Sequence, residues 1–224
     1  MTVNKIYTEN CLDTMKKMKD DSVDIVFTSP PYNRKRNDKY DFYEDTKTDY
    51  FEFIRDVIQE CIRVSKGNVY INIMKNYYNK VDVFNLIGFF SEEIYEIVVW
   101  EKSNPLPASG DSITNAYEFI LVLGDEFRSN RTYTKNHITT SVATMYKTHK
   151  AVMHEDVAQF FIENFTKEDD IIYDPFMGTG TTAAIAKKNG RNYIGSEITK
   201  EYCAIAEDRI NNVATVEDLF EEDI

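Results

Sequence analysis

The sequence predicts the α/β class: one domain built on an open, doubly wound, mostly parallel sheet whose ligand motifs stand in permuted order. Three observations carry this. Asp174-Pro175-Phe176-Met177-Gly178-Thr179-Gly180-Thr181-Thr182 lies between a short apolar run, Ile171-Ile172-Tyr173, and the helix-forming Ala183 to Lys188, which reads as strand, glycine turn, helix. A second apolar run, Tyr193-Ile194-Gly195-Ser196, ends on an acid, Glu197. Most other strand-like stretches precede the glycine turn, and one of them, Val23 to Phe27, runs out toward a pair of prolines, Pro30 and Pro31. Sheets of this class that bind dinucleotides usually begin with the glycine turn, so the order is permuted.

The glycines at 178 and 180 let the backbone approach a ligand closely, and the helix that follows offers unpaired N–H groups at its start. A carboxylate seventeen residues past Gly180 can accept both hydroxyls of a ribose. The pair points to an adenosine-containing cofactor. Taken alone it also fits a nicotinamide-dependent oxidoreductase, a reading that leaves the proline-ended strand without a task.

A chain of 224 residues, 42% of them hydrophobic, can bury one substantial core. No apolar run approaches the length needed to cross a bilayer, and Met1-Thr2-Val3-Asn4-Lys5 leads into no signal-peptide core, so a cytoplasmic protein is expected. Cys11, Cys61 and Cys203 are scattered in apolar stretches and read as buried thiols; with three dispersed histidines they form no metal constellation. A net charge of −12 argues against a protein that coats nucleic acid indiscriminately. Locally, however, Arg34-Lys35-Arg36 with Lys39 form one basic cluster, and Arg128, Arg131, Lys135, Lys147 and Lys150 a looser second one.

In chain order, Lys5 to Thr8 is a short strand, and Leu12, Met15 and Met18 recur at helical spacing. Val23 to Phe27 is a buried strand leading into Thr28-Ser29-Pro30-Pro31-Tyr32-Asn33. Neither proline can donate an N–H, so the ladder stops. The carbonyls of Ser29 and Pro30 are left free at the edge where ligands of such sheets bind, and Tyr32 adds a flat aromatic face. Asp49 to Ser65 is an amphipathic helix with Tyr50, Ile54, Val57, Ile58 and Cys61 on one stripe, Asp49 and Glu52 suited to its start and Gly67 to its end. Gly67 to Ile73 is a strand, Asp82 to Phe90 a helix, and Ile94 to Trp100 and Glu118 to Leu123 are two more strands. Residues 125–150 are polar and read as a long loop or small excursion. Glu155 to Phe165 is a helix with Val157, Phe160, Phe161 and Phe165 on its stripe, and Lys200 to Asn211 another that faces the sheet through Tyr202, Ile205, Ala206 and Ile210.

Thr28-Ser29-Pro30-Pro31-Tyr32-Asn33 upstream of Asp174-Pro175-Phe176-Met177-Gly178-Thr179-Gly180-Thr181 resembles the β class of amino-methylating DNA methyltransferases, in which an S-P-P-Y or D-P-P-Y motif precedes an F-x-G-x-G motif. The resemblance runs over roughly residues 4 to 211. It implies a single Rossmann-like methyltransferase domain over 1–224, with a catalytic half at 4–124, a short recognition segment at 125–150, a cofactor-binding half at 151–211 and an acidic tail at 212–224. The W-x-K-x-N-P stretch from Trp100 and the strand after it are similar to the family's late strand pair, whose connecting loop faces the target base. The recognition segment is shorter than in most members. DNA contacts must then come from it, from the loop after Asn33 or from a second subunit, so a homodimer is one expected partner; a cognate restriction endonuclease is another.

The reaction this resemblance implies is methyl transfer from S-adenosyl-L-methionine to the exocyclic amine of a base flipped out of double-stranded DNA. The Ser29 hydroxyl and Pro30 carbonyl would accept the amine's N–H bonds and draw the nitrogen toward tetrahedral geometry, Pro31 would shape the turn, and Tyr32 would stack on the ring. Phe176, Gly178, Gly180 and Thr181 would line the methionine and ribose side, with Asp174 at the strand end and Glu197 on the ribose hydroxyls. Asn10 stands where the family has an acid for the adenine amine, and His149, in Lys147-Thr148-His149-Lys150-Ala151, resembles the family's H-P-A turn and would reach the methionine carboxylate. Arg34, Lys35, Arg36, Lys102, Arg128, Arg131 and Lys135 would hold DNA phosphates. No Pro-Cys pair is present to attack a cytosine ring, so carbon-5 methylation is disfavoured. The S-P-P-Y form points to cytosine N4, with adenine N6 as the alternative.

Overall fold

The computed structural model describes residues 1–33, 45–105, 107, 113–125, 129–131, 133–141 and 153–214. In chain order its elements are β1 (Lys5–Tyr7), α1 (Cys11–Met15), β2 (Ile25–Thr28), α2 (Tyr50–Val64), β3 (Val69–Ile73), α3 (Lys80–Phe89), β4 (Ile94–Lys102), β5 (Tyr117–Leu123), β6 (His137–Thr140), α4 (Glu155–Phe165), β7 (Ile171–Asp174), α5 (Thr181–Lys188), β8 (Asn192–Ser196) and α6 (Lys200–Asn211). The strands form one sheet in the order β1-β8-β7-β2-β3-β5-β4-β6. Every neighbouring pair is parallel except those made by β5, which runs against both β3 and β4.

Every residue of β2 and β3 is buried, as expected of parallel strands covered on both faces. Alternate side chains divide between two cores. Val26, Val69, Ile71 and Ile73 pack with Ile54, Val57, Ile58 and Cys61 of α2 and with α1 and α3, while Ile25, Phe27 and Tyr70 pack with Val157 and Phe161 of α4 and with α5. A third cluster joins Ile6 and Met177 to α5 and α6. The three cysteines are buried and unbridged. Among the described residues no helix is long and apolar enough to cross a membrane.

Three local expectations are corrected. Residues 137–140, read as loop, form β6 alongside β4, where the Trp100 indole donates to the Thr140 hydroxyl at 2.8 Å. Only four residues long, this strand carries too little alternation to show in the sequence. Asp49 sits at the start of α2 but makes no capping bond through its side chain. Gly67 does not close α2 in a left-handed conformation; a methyl group there would stand 2.8 Å from the Asp24 carbonyl oxygen, so glycine lets the chain pass close beside the residues that lead into β2.

From β7 the chain winds out through α5 to β8, and from β2 it winds through α2 to β3 in the opposite direction, so the order reverses between β7 and β2. These two strands are parallel neighbours, with Ile25 opposite Ile172 and Val26 opposite Tyr173. Both sequence motifs therefore emerge side by side at the reversal, where open sheets of this class bind ligands beyond their carboxyl ends.

Candidate active site

The motif strands are tied together where they end: the Thr28 hydroxyl donates to Asp174 Oδ1 at 2.6 Å, and the Phe176 N–H donates to the same oxygen at 3.0 Å. Beyond this bond opens a cavity of about 230 Å³. Ser29, Pro30, Pro31 and Tyr32 line it from one strand end, Asp174, Phe176, Gly178 and Thr181 from the other, with Asn10 and Glu197 completing the wall.

The turn after β2 is held from several sides. Asn33 adopts a left-handed conformation, φ 48°, which asparagine tolerates better than most residues. Its side-chain amide pairs with the backbone of Lys47, donating at 2.9 Å and accepting at 3.0 Å, while the Asp45 carboxylate accepts the N–H groups of Tyr32 and Asn33 at 3.2 and 2.8 Å. The Tyr50 hydroxyl donates to the Pro31 carbonyl at 2.9 Å, and the amides of Asn76 and Asn79 donate to the Tyr32 carbonyl at 2.7 and 2.9 Å. No described residue bonds the carbonyls of Ser29 and Pro30. A turn held by these bonds, with two backbone acceptors that no described residue takes up, thus lines the cavity.

Behind the turn lies a buried polar cluster. Ser29 Oγ and Tyr32 Oη are 2.6 Å apart, the Tyr32 hydroxyl donates to Glu118 Oε2 at 3.0 Å, and the Asn72 amide donates to Tyr32 Oη and Glu118 Oε2, each at 2.9 Å. Glu118 is 4% exposed and ion-paired with Lys102. Sequence reasoning passed over Asp45, Asn72, Asn79 and Glu118. The signal for Asn72 and Glu118 was a lone polar residue within or at the start of a strongly apolar strand, Val69 to Ile73 and Tyr117 to Leu123.

On the opposite side the two glycines have separate tasks, and against expectation only Gly178 lines the cavity, Gly180 being turned to the packing of α6. Gly178, φ +50°, would carry a methyl group with nothing nearer than the Phe176 carbonyl oxygen at 3.9 Å, so its bare backbone leaves space in the cavity. Gly180, φ +81°, faces α6 so closely that a methyl group would stand 2.9 Å from Ala206 Cβ. Glu197 is held by its two oxygens, which accept the N–H groups of Gly178 at 2.9 Å and Thr199 at 2.8 Å. Its carboxylate thus spans from the end of β8 to the glycine turn. Asn10 caps α1, its side-chain oxygen accepting from the Leu12 N–H at 2.9 Å. The Thr181 hydroxyl accepts from Arg209 at 2.8 Å, and Arg209 also binds Glu155. Burial pushes the Asp174 carboxyl up to about 6, with Thr182, Thr28 and the Phe176 N–H pulling it back in part. Burial likewise pushes the Cys11 thiol, at the cavity wall, up to about 12, which disfavours the thiolate a nucleophile needs.

Several residues assigned to DNA need correction or lie elsewhere. Lys102 is not an open phosphate ligand: its side chain is 17% exposed, stands 5.2 Å from the centre of the Trp100 ring and is bound to Glu118. Arg131 reaches Glu163 in the last turn of α4, toward the end of the sheet where β7 begins and away from the cavity. Lys135 is exposed just before β6, the outermost strand, and lines no part of the cavity. Arg34, Lys35, Arg36, Arg128 and His149 lie outside the described residues.

A family model for DNA methylases of the N6/N4 type matches residues 23–142 and 123–208, spanning both motif strands and the cavity between them. This chain belongs to the N6/N4 DNA methylase family. The methylase is similar to type II methyltransferase M.HinfI of Haemophilus influenzae, 26% identical over 249 residues that cover 94% of this chain and 69% of that one. Its fold is shared with the cytosine-N4-specific PvuII DNA methyltransferase, at a TM-score of 0.78, 17% identity and coverage of 98% and 91%. The M1.HpyAVI–SAM complex also shares it, at a TM-score of 0.69, 24% identity and coverage of 92% and 98%. As a DNA methylase of this family the protein takes S-adenosyl-L-methionine as its cofactor. The space over Gly178 beside a carboxylate at the end of β8 suits a nucleoside with an aliphatic arm.

Proposed function

We propose that this methylase transfers a methyl group to the exocyclic amine of a base flipped from double-stranded DNA, cytosine N4 being the favoured target. The observation that carries the reading is that Ser29 and Pro30, whose carbonyls no described residue bonds while the next two carbonyls are bonded elsewhere, line the same cavity as Gly178 and Glu197. An exocyclic amine is a poor nucleophile because its lone pair is delocalised into the ring. Acceptors on its two N–H bonds localise that pair; here these are the Ser29 hydroxyl and the Pro30 carbonyl. Pro31 and the bonds from Tyr50, Asn76 and Asn79 keep the acceptors in place, so little reorganisation is needed at the moment of reaction. Tyr32 supplies a ring for the flipped base, a contact of about 1–3 kcal/mol that offsets part of the unstacking cost. Glu197 and Asn10 would hold the adenosine end of S-adenosyl-L-methionine, which when bound would supply an electrophilic methyl group as its C–S bond breaks to leave a neutral thioether, the methylated amine giving up one N–H proton to solvent. Arg34, Lys35 and Arg36 are the phosphate contacts we assign, joined by a second subunit if the enzyme acts as a dimer.

Nucleoside mass spectrometry of DNA treated with the methylase identifies the modified base; N4-methylcytosine is expected, and N6-methyladenine would move the target to adenine. Ser29→Ala is expected to lower the single-turnover rate on the order of 100-fold while cofactor affinity stays within about twofold. An unchanged rate would remove Ser29 from its assigned role.

A further inference from the structure

We propose that Glu118 on β5 is a positioning residue that sets the direction of the hydrogen bonds around Ser29 and thereby keeps the serine hydroxyl an acceptor toward the cavity. The inference rests on the amine-methylating reading of Ser29 and extends it to a residue outside both sequence motifs.

Donors and acceptors fix the direction of each bond in this cluster. The Glu118 carboxylate, ion-paired with Lys102, can only accept, and the Asn72 amide nitrogen can only donate. Tyr32 Oη lies 3.0 Å from Glu118 Oε2 and 2.9 Å from Asn72 Nδ2. Its single proton therefore goes to Glu118, and its lone pairs face Asn72 and Ser29. The remaining contact, 2.6 Å between Ser29 Oγ and Tyr32 Oη, must then use the serine proton. The reverse arrangement would set a phenol lone pair against a carboxylate oxygen. With its proton turned inward and Asn72 Nδ2 touching it at 3.2 Å, Ser29 Oγ retains one lone pair for the cavity it lines. Without the charge on Glu118, the phenol proton could turn to Ser29, and the serine proton could turn outward to oppose an amine N–H.

This accounts for a buried carboxylate and its partly buried ammonium partner so close to a neutral turn, where an apolar pair of the same size would cost no desolvation. Lys102 balances the charge from its place over Trp100. The Asn72 Nδ2 lies within 3.2 Å of all three oxygens, its two N–H bonds shared among them.

The test is a double-mutant cycle read by single-turnover methylation, with S-adenosyl-L-methionine affinity and thermal midpoint measured alongside. Glu118→Gln is expected to slow the methyl-transfer step roughly tenfold, cofactor affinity staying within about twofold. Should it fold poorly because Lys102 is left unpaired, Lys102→Met with Glu118→Gln keeps the site neutral and is expected to show the same loss. In a Tyr32→Phe background, with no phenol hydroxyl to carry the direction, Glu118→Gln is expected to cost less than about twofold more. An equal loss in both backgrounds, or an unchanged rate in both Glu118 variants, overturns the proposal. Ser29→Ala separates the two levels: full activity there removes the underlying reading, whereas an inactive Ser29→Ala beside a fully active Glu118→Gln removes only the role of Glu118.

Discussion

At Asp174 two demands compete. The carboxylate staples β7 to β2 through Thr28, yet it is 4% exposed, and burial raises its pKa from 3.8 to about 6. The folded chain thus holds this proton more tightly than the unfolded one. Ionising Asp174 costs the fold nothing below about pH 4, increasingly more as pH rises to about 6, and a constant amount above that. The difference between the two values corresponds to about 3 kcal/mol. Because Thr28 and Phe176 both donate to the same oxygen, an asparagine amide oxygen can take both bonds. Asp174→Asn is therefore expected to raise the urea midpoint at pH 7, with the difference from the parent protein shrinking as pH falls from 6 to 4. A difference that is flat across that window would show that burial does not govern this group. The strand-end position of Asp174 was legible in the sequence; its bond to Thr28, 146 residues away, was not.

Among the elements, the glycine turn before α5 divides its work between two residues that look equivalent in the sequence. Gly180→Ala meets Ala206 on α6 at 2.9 Å in addition to backbone strain at φ +81°, so it is expected to destabilise the fold by about 2 kcal/mol or more, read as a lower denaturant midpoint. Gly178→Ala has room, and its strain is about 1 kcal/mol. Its methyl group intrudes on ligand space, so the larger effect is expected in S-adenosyl-L-methionine affinity, a loss on the order of tenfold by calorimetry. If both variants weaken stability and affinity in the same proportion, the division of labour is wrong. Elements with a long apolar stripe or run, such as α2, α4, β3 and β5, were readable because burial imposes their period. β6 was not, since a four-residue edge strand is decided by what it pairs with.

Across the whole molecule, the cavity stands at the sheet reversal, where α1, the turn after β2, β7, α5 and β8 all contribute wall residues. Cofactor binding should thus stabilise the folded chain as a unit. S-adenosyl-L-methionine at 100 times its Kd is expected to add about 2.7 kcal/mol, a rise in Tm of roughly 5 °C, whereas NAD at equal concentration is expected to leave Tm unchanged; thermal melts with each ligand check this. The sequence by itself determined the α/β class, the two motifs and their permuted order, and the cofactor side of the site, because glycine, proline and apolar periodicity act through local backbone geometry. Only the tertiary structure decided that Thr28 meets Asp174, that Lys102 neutralises Glu118 instead of facing a phosphate, and that Asn72 and Glu118 stand behind Ser29 and Tyr32. Those pairings join residues far apart along the chain, and a side chain's partner across a sheet is set by strand order and register, which no local pattern encodes.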